Sequence, residues 1–150
     1  MHYQHIMLAT DGSEASSRAE KECVAFAKSI GAKVTAIHVI SHFHLHYRPW
    51  AAPKSVHDKI EQEHEEEAKA MAQKMLSELR ARVKAEGVSC DVLVVVGDHA
   101  YEEIIDNAEK CKCDLIMMAS HGRRGLDALL LGSETMKVLT HTKIPVLVVR

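Results

Sequence analysis

The sequence predicts an α/β fold: one open, parallel, doubly wound sheet of five strands with helices on both faces. Three observations predict it. Short apolar runs alternate with stretches of helical periodicity along the whole chain. One of those runs, Val92 to Val96, is apolar at every position, as expected of a strand covered on both faces. Near the C-terminus, a glycine-bearing loop leaves a strand end and delivers the chain to a helix start.

The elements follow in order. His5 to Thr10 is a strand that ends at Asp11-Gly12-Ser13, which is helix-start chemistry. Beyond Ser13, Ala19, Cys23, Phe26, Ala27 and Ile30 fall on one helical face, and Gly31 is placed to end that helix. Lys33 to Ile40, with Val34, Ile37, Val39 and Ile40, is the second strand. A right-handed crossover makes these two strands parallel. Ser41 to Pro53 is irregular, because Pro49 and Pro53 exclude a regular element. A long helix then runs from about Ser55 to Glu86. Its acidic first half, Glu61 to Glu67, is expected to overhang in solvent, while Ala68, Met71, Ala72, Met75, Leu76, Leu79 and Val83 form a face for the sheet. Gly87 ends it. After the strand at Val92 to Val96, Gly97-Asp98 turns into a helix marked by Tyr101, Ile104, Ile105 and Ala108. Asp114 to Ala119 is the fourth strand, Ser133 to Leu139 a helix, and Ile144 to Val149 the fifth strand.

Composition narrows the function. The 150 residues suit one domain over 1–150, and 47% hydrophobic with 27% charged is ordinary for a globular protein. A net charge of −2 offers no general attraction to nucleic acid or anionic membrane. No apolar run approaches a membrane span and the N-terminus lacks a signal-peptide pattern, so a cytoplasmic location is expected. Cys23, Cys90, Cys111 and Cys113 lack the spacing of a disulfide framework or a paired zinc site and are read as reduced thiols; Cys111-Lys112-Cys113 as a soft-metal site is the minor alternative.

The loop carries the chemistry. Gly122, Gly125 and Gly132 are expected to reach positive φ and to let a ligand approach the backbone. Ser133 is expected as the N-cap, with free N–H groups behind it that attract an anion, and Arg123 and Arg124 add positive charge. The group held is read as a phosphate. Neither G-x-x-x-x-G-K-[ST] nor G-x-G-x-x-G is present. Instead the spacing is Gly122, nine residues, then Gly132-Ser133. With Ile6-Met7-Leu8-Ala9-Thr10-Asp11 at the start and Lys143-Ile144-Pro145-Val146-Leu147-Val148-Val149 at the end, this resembles the ATP-binding branch of the universal stress protein family across nearly the whole chain. That family's signature is G-x2-G-x9-G-[ST]; Ala119 stands here at its first glycine.

The resemblance implies a Rossmann-like, adenine nucleotide alpha hydrolase-like sheet of strand order 3-2-1-4-5, with the ligand crevice between strands one and four. It implies ATP or another adenine nucleotide, with magnesium held mostly by water and phosphate oxygens. Asp11 would contact the nucleoside, although Asp11-x-x-Glu14 also reads as a capping box. Ala9, Thr10 and Val39 would lie at the nucleoside side, where Ala9 and Val39 alone read as core. Met118, Ala119, His121, Gly122 and Arg123 would pass beneath the ribose and first phosphate, and Gly132, Ser133, Glu134 and Thr135 would meet the distal phosphates. The Ala119 methyl is expected to add bulk beside the ligand.

The leading function is therefore a nucleotide-binding regulatory protein of the stress response, with a regulatory protein as partner. The competing readings are a slow ATPase or autophosphorylating enzyme, and a dimeric partner-binding protein without nucleotide. No catalytic residue is assigned, since no Walker lysine or catalytic-base loop is recognisable. The last strand is expected at a sheet edge, closed by its symmetry mate in a twofold homodimer. His42, His44 and His46, alternating in an extended segment, form a minor metal candidate, to which His38 and His57 could add.

Overall fold

A computed structural model of the chain describes residues 2–42, 52–122 and 130–150. The elements are β1 (His5–Ala9), α1 (Glu14–Ile30), β2 (Lys33–Ile40), α2 (Lys54–Ala85), β3 (Cys90–Val96), α3 (Ala100–Lys110), β4 (Leu115–Ala119), α4 (Ser133–His141) and β5 (Val146–Val149). All neighbouring strands are parallel, in the order β3-β2-β1-β4-β5. This is the expected sheet. The strand order reverses between β1 and β4, where Ile6 pairs with both Val34 and Leu115.

The central strands are buried on both faces because their side chains alternate between two cores, while the edge strands β3 and β5 are only half-buried, so Val92–Val96 is not the fully covered strand expected. Ile6, Leu8, Val34, Ala36, Leu115 and Met117 pack beneath α1 and α2, which contribute Cys23, Ala27, Leu76, Leu79 and Val83. Met7, Ala9, Ile37, Ile116 and Met118 pack beneath α3 and α4, which contribute Ile104, Ala108 and Val138. Each fully buried Leu, Ile or Val contributes about 2 kcal/mol of transfer free energy.

Helix α1 begins at Ser13, whose hydroxyl oxygen accepts the Ser16 N–H at 3.1 Å, and ends at Gly31 in the left-handed region with φ 72°. Of the expected face of α2, Ala72, Leu76, Leu79 and Val83 are buried, but Met71 is exposed; in the first half His57 is buried, and neither of its ring nitrogens is hydrogen-bonded among the described residues. β3 begins at Cys90, two residues before its apolar run, and β5 begins later than expected, at Val146. Pro145 lacks an N–H and so stands outside β5, although its carbonyl still accepts the Ile116 N–H at 2.9 Å. Among the described residues no helix is long and apolar enough to cross a membrane. The four cysteines are free, and burial pushes the Cys23 and Cys113 thiols up to about 12.

Candidate functional site

The carboxyl ends of β1 and β4 bring the two motif segments together. Asp11 follows β1, and its Oδ1 accepts the Ser13 N–H at 2.9 Å. This Asx turn corrects the capping-box reading: Ser13 is the N-cap of α1, and Asp11 braces the turn two residues before it. The other oxygen, Oδ2, lies against Gly122, where a Cβ would come within 2.5 Å of it. A carboxylate from one loop therefore rests on the bare backbone of the other.

Gly132 closes the same cluster. Its N–H donates to the Ser120 carbonyl at 2.7 Å, and a Cβ on it would lie 3.2 Å from His121 Cα and 3.4 Å from the Ser120 oxygen. Neither Gly122 nor Gly132 has a positive φ; Gly132 sits at φ −60°, ψ 151°. The expectation of left-handed backbone is thus corrected at both positions. These glycines are needed for space: a methyl group would meet the Asp11 carboxylate at Gly122 and the Ser120–His121 backbone at Gly132.

Gly132, rather than Ser133, is the N-cap of α4, and among the described residues no side chain caps that helix. The difference follows from Gly132 being extended while its carbonyl already accepts the Met136 N–H at 3.0 Å. Ser133 is then the first helical residue. Glu134 is turned aside: Oε2 accepts the Tyr101 N–H at 3.0 Å, at the start of α3, and Oε1 pairs with Lys137 at 3.1 Å. That arrangement takes a carboxylate away from an end that favours anions. The Thr135 hydroxyl donates to the Ala119 carbonyl at 3.0 Å, so its offer to a ligand is its backbone N–H.

Ala119 does not crowd the crevice as expected. It packs with Ala15 and Ala19 of α1 and against Val149, on the opposite face of the sheet from α4. Ala9, Val39 and Met118 share the α3–α4 face; Ala9 and Met118 are buried core, and Val39 is half-buried. Thr10 points its hydroxyl to Glu20 on α1, at 2.6 Å. The His121 Nδ1 lies 3.0 Å from the Ser120 hydroxyl. Arg123, with Arg124 and Gly125, lies outside the described residues, as do His44 and His46. His42 Nδ1 lies 3.5 Å from Glu65 Oε2, and no cluster suited to a metal ion occurs among the described residues.

The roles of two residues of this cluster escape sequence reading, which took His38 only as a possible metal ligand and Ser120 only as part of the glycine loop. Ser120 joins three segments, through its N–H to the Val149 carbonyl at 2.7 Å, its carbonyl to Gly132 and its hydroxyl to His121. His38 reaches from β2 so that its Nδ1 meets the Thr10 carbonyl at 2.8 Å. Neither carries a motif; a serine inside the glycine loop was the available signal for the first. Together the site offers a carboxylate acceptor suited to sugar hydroxyls, an apolar strand end and an uncapped helix N-terminus suited to phosphate.

Comparison with known proteins agrees with this geometry. The profile of the "Universal stress protein family" matches residues 2–150. Universal stress protein MJ0531 of Methanocaldococcus jannaschii is 33% identical over 148 residues, covering 99% of this chain and 82% of that protein. The solved structure of MJ0577 from the same organism is similar at TM-score 0.84 and 30% identity, covering 99% of this chain and 96% of that one. A universal stress protein solved in complex with cAMP is similar at TM-score 0.70 and 25% identity, covering 100% and 98%. With its sheet order, its loop geometry and a match over nearly every residue, the chain belongs to the universal stress protein family.

Proposed function

We propose that the chain is an adenine-nucleotide-binding regulatory protein of the stress response, taking ATP with magnesium in the crevice between β1 and β4. The observation that carries this reading is the seating of Asp11 Oδ2 on Gly122, with Gly132 leading directly into an uncapped α4. Asp11 accepts from the ribose hydroxyls. Val39 lies against the base. The Ala119–Gly122 backbone runs beneath the ribose and first phosphate, and the N–H groups of Ser133, Glu134 and Thr135 meet the distal phosphates. Magnesium, when bound, neutralises the phosphates through oxygen and water ligands. The relative solved with cAMP supports an adenine nucleotide as the ligand class.

The proposal includes a twofold homodimer through β5. Its four residues are only half-buried at the sheet edge, and Met136 and Leu139 on α4 are exposed. Light scattering at micromolar concentration should give the mass of a dimer; monomer alone would remove that part.

Equilibrium dialysis with labelled ATP, AMP and cAMP tests the nucleotide reading. Wild type should bind, and Gly132→Val about a hundredfold more weakly. Equal binding by the two would remove the nucleotide from the Gly132 loop, and binding by neither would transfer the reading to a partner-binding dimer without nucleotide.

A further inference from the structure

Glu20 is a carboxylate in the interior. It lies on α1 with 7% of the residue exposed, and both of its oxygens are engaged. Oε1 accepts the Thr10 hydroxyl at 2.6 Å, and Oε2 accepts from the Arg82 guanidinium of α2 at 3.2 Å. Thr10 is the residue between β1 and Asp11. Its N–H donates to the Ile37 carbonyl at 3.0 Å, and its own carbonyl accepts from His38 at 2.8 Å, so β2 already holds its main chain. The hydroxyl bond adds a tie to a helix.

Packing does not account for this arrangement. A buried carboxylate is costly to desolvate, and an apolar side chain of similar volume often serves stability as well. An apolar side chain could not hold the rotation of Thr10. The Thr10 hydroxyl oxygen also faces the Gly12 N–H at 3.5 Å, so its placement bears on the turn that Asp11 Oδ1 braces at Ser13 and from which Asp11 Oδ2 rests on Gly122. Glu20 thus acts on the crevice from the other face of the sheet.

We propose that Glu20 is a positioning residue for the nucleotide site, holding Thr10 so that Asp11 stands against Gly122, with Arg82 keeping the carboxylate in place. This rests on the nucleotide reading above. Arg82 has a side chain 62% exposed, in an open groove between α1 and α2 whose walls include Val24, Leu79 and Val83. Through Arg82, the seating of α2 on α1 bears on the same turn as the ligand.

The test measures magnesium-ATP affinity by equilibrium dialysis, and amide hydrogen exchange at Thr10 and Gly12, for wild type, Glu20→Leu, Glu20→Gln and Arg82→Met. Glu20→Leu should weaken binding about tenfold, the loss of one hydrogen bond to a charged group, and should speed exchange at Thr10 and Gly12 selectively. Glu20→Gln keeps an acceptor for the Thr10 hydroxyl and should stay within about threefold of wild type. Arg82→Met should fall between them. Glu20→Leu with wild-type affinity, or with exchange raised uniformly over the chain, would overturn the proposal. Should Glu20→Leu fail to fold, Arg82→Met decides: wild-type affinity and exchange in that variant overturn it equally. A wild-type protein that binds no ATP sinks the nucleotide reading instead, while selective exchange in Glu20→Leu still supports the hold on the Asp11 turn.

Discussion

Helices α1, α3 and α4 all begin at the carboxyl end of the sheet, and their first turns are treated differently. The start of α1 satisfies itself: Ser13 accepts from Ser16, and Asp11 accepts from Ser13. The start of α3 is served by Glu134, which reaches across from α4 to the Tyr101 N–H. The start of α4 has no side-chain cap, although Glu134 stands in its first turn. An uncapped N-terminus in a folded protein needs water or a ligand for its N–H groups. Among the described residues, α1 and α3 are thus served by side chains, whereas α2 and α4 begin without a side-chain cap, and the α4 start adjoins the Ser120–Gly122 segment that Asp11 touches. The proposed nucleotide site rests on where the open α4 start lies.

The most severe break of the comparison is Gly132→Val. Its φ of −60° suits any residue, so the effect is steric: the new side chain meets His121 and Ser120 backbone at 3.2–3.4 Å. ATP affinity should fall about a hundredfold, measured by equilibrium dialysis. Ala119→Gly should act on the other face of the sheet. Loss of a methyl packed with Ala15 and Ala19, plus added backbone freedom, should lower stability by about 1.5 kcal/mol in urea unfolding. ATP affinity should stay unchanged; a tightening would place the methyl in the crevice after all.

Ser13→Ala and Ser133→Ala form a matched pair. The first removes a cap and should cost about 1 kcal/mol of folding stability, with nucleotide affinity intact. The second removes no cap and should spare stability while weakening ATP binding about fivefold, close to 1 kcal/mol. Exchanged outcomes would mean that α4, not α1, depends on its own serine.

The smallest effect lies at the amino end of the sheet, which is closed by internal bonds. Asp114 accepts the Gln4 and His5 N–H groups at 2.8 and 3.0 Å, and His5 Nε2 meets the Thr35 hydroxyl at 2.8 Å. Burial, then the nearby Lys33 charge, lower the His5 pKa from 6.5. The folded state therefore binds its proton later than the unfolded chain as pH falls. This contribution is complete above pH 6.5 and declines below it. His5→Asn should flatten a small acid-side slope in stability between about pH 7 and 5; an unchanged slope would assign it to other groups.

Much of this protein was legible in its residues. The apolar run Ile6-Met7-Leu8 and the helical stripe Ala19-Cys23-Ala27 report burial directly, whereas Val92–Val96, equally apolar, is only half-buried because β3 is an edge strand, which its composition does not reveal. The loop spacing from Gly122 to Gly132-Ser133 carried the family and, through it, the strand order. Tertiary structure decided what each marked residue does. The role of Gly122 depends on Asp11, 111 positions earlier in the numbering, and that of Gly132 on His121, so both proved to be matters of space where local sequence suggested torsion angles. The face taken by Ala119, the turning aside of Glu134 and the hold of Glu20 on Thr10 likewise depend on side chains of other elements. A sequence period records how much of a residue is buried, but not which distant group it meets there. At the carboxyl end of this sheet those meetings determine which helix starts receive a side chain, as α3 receives Glu134.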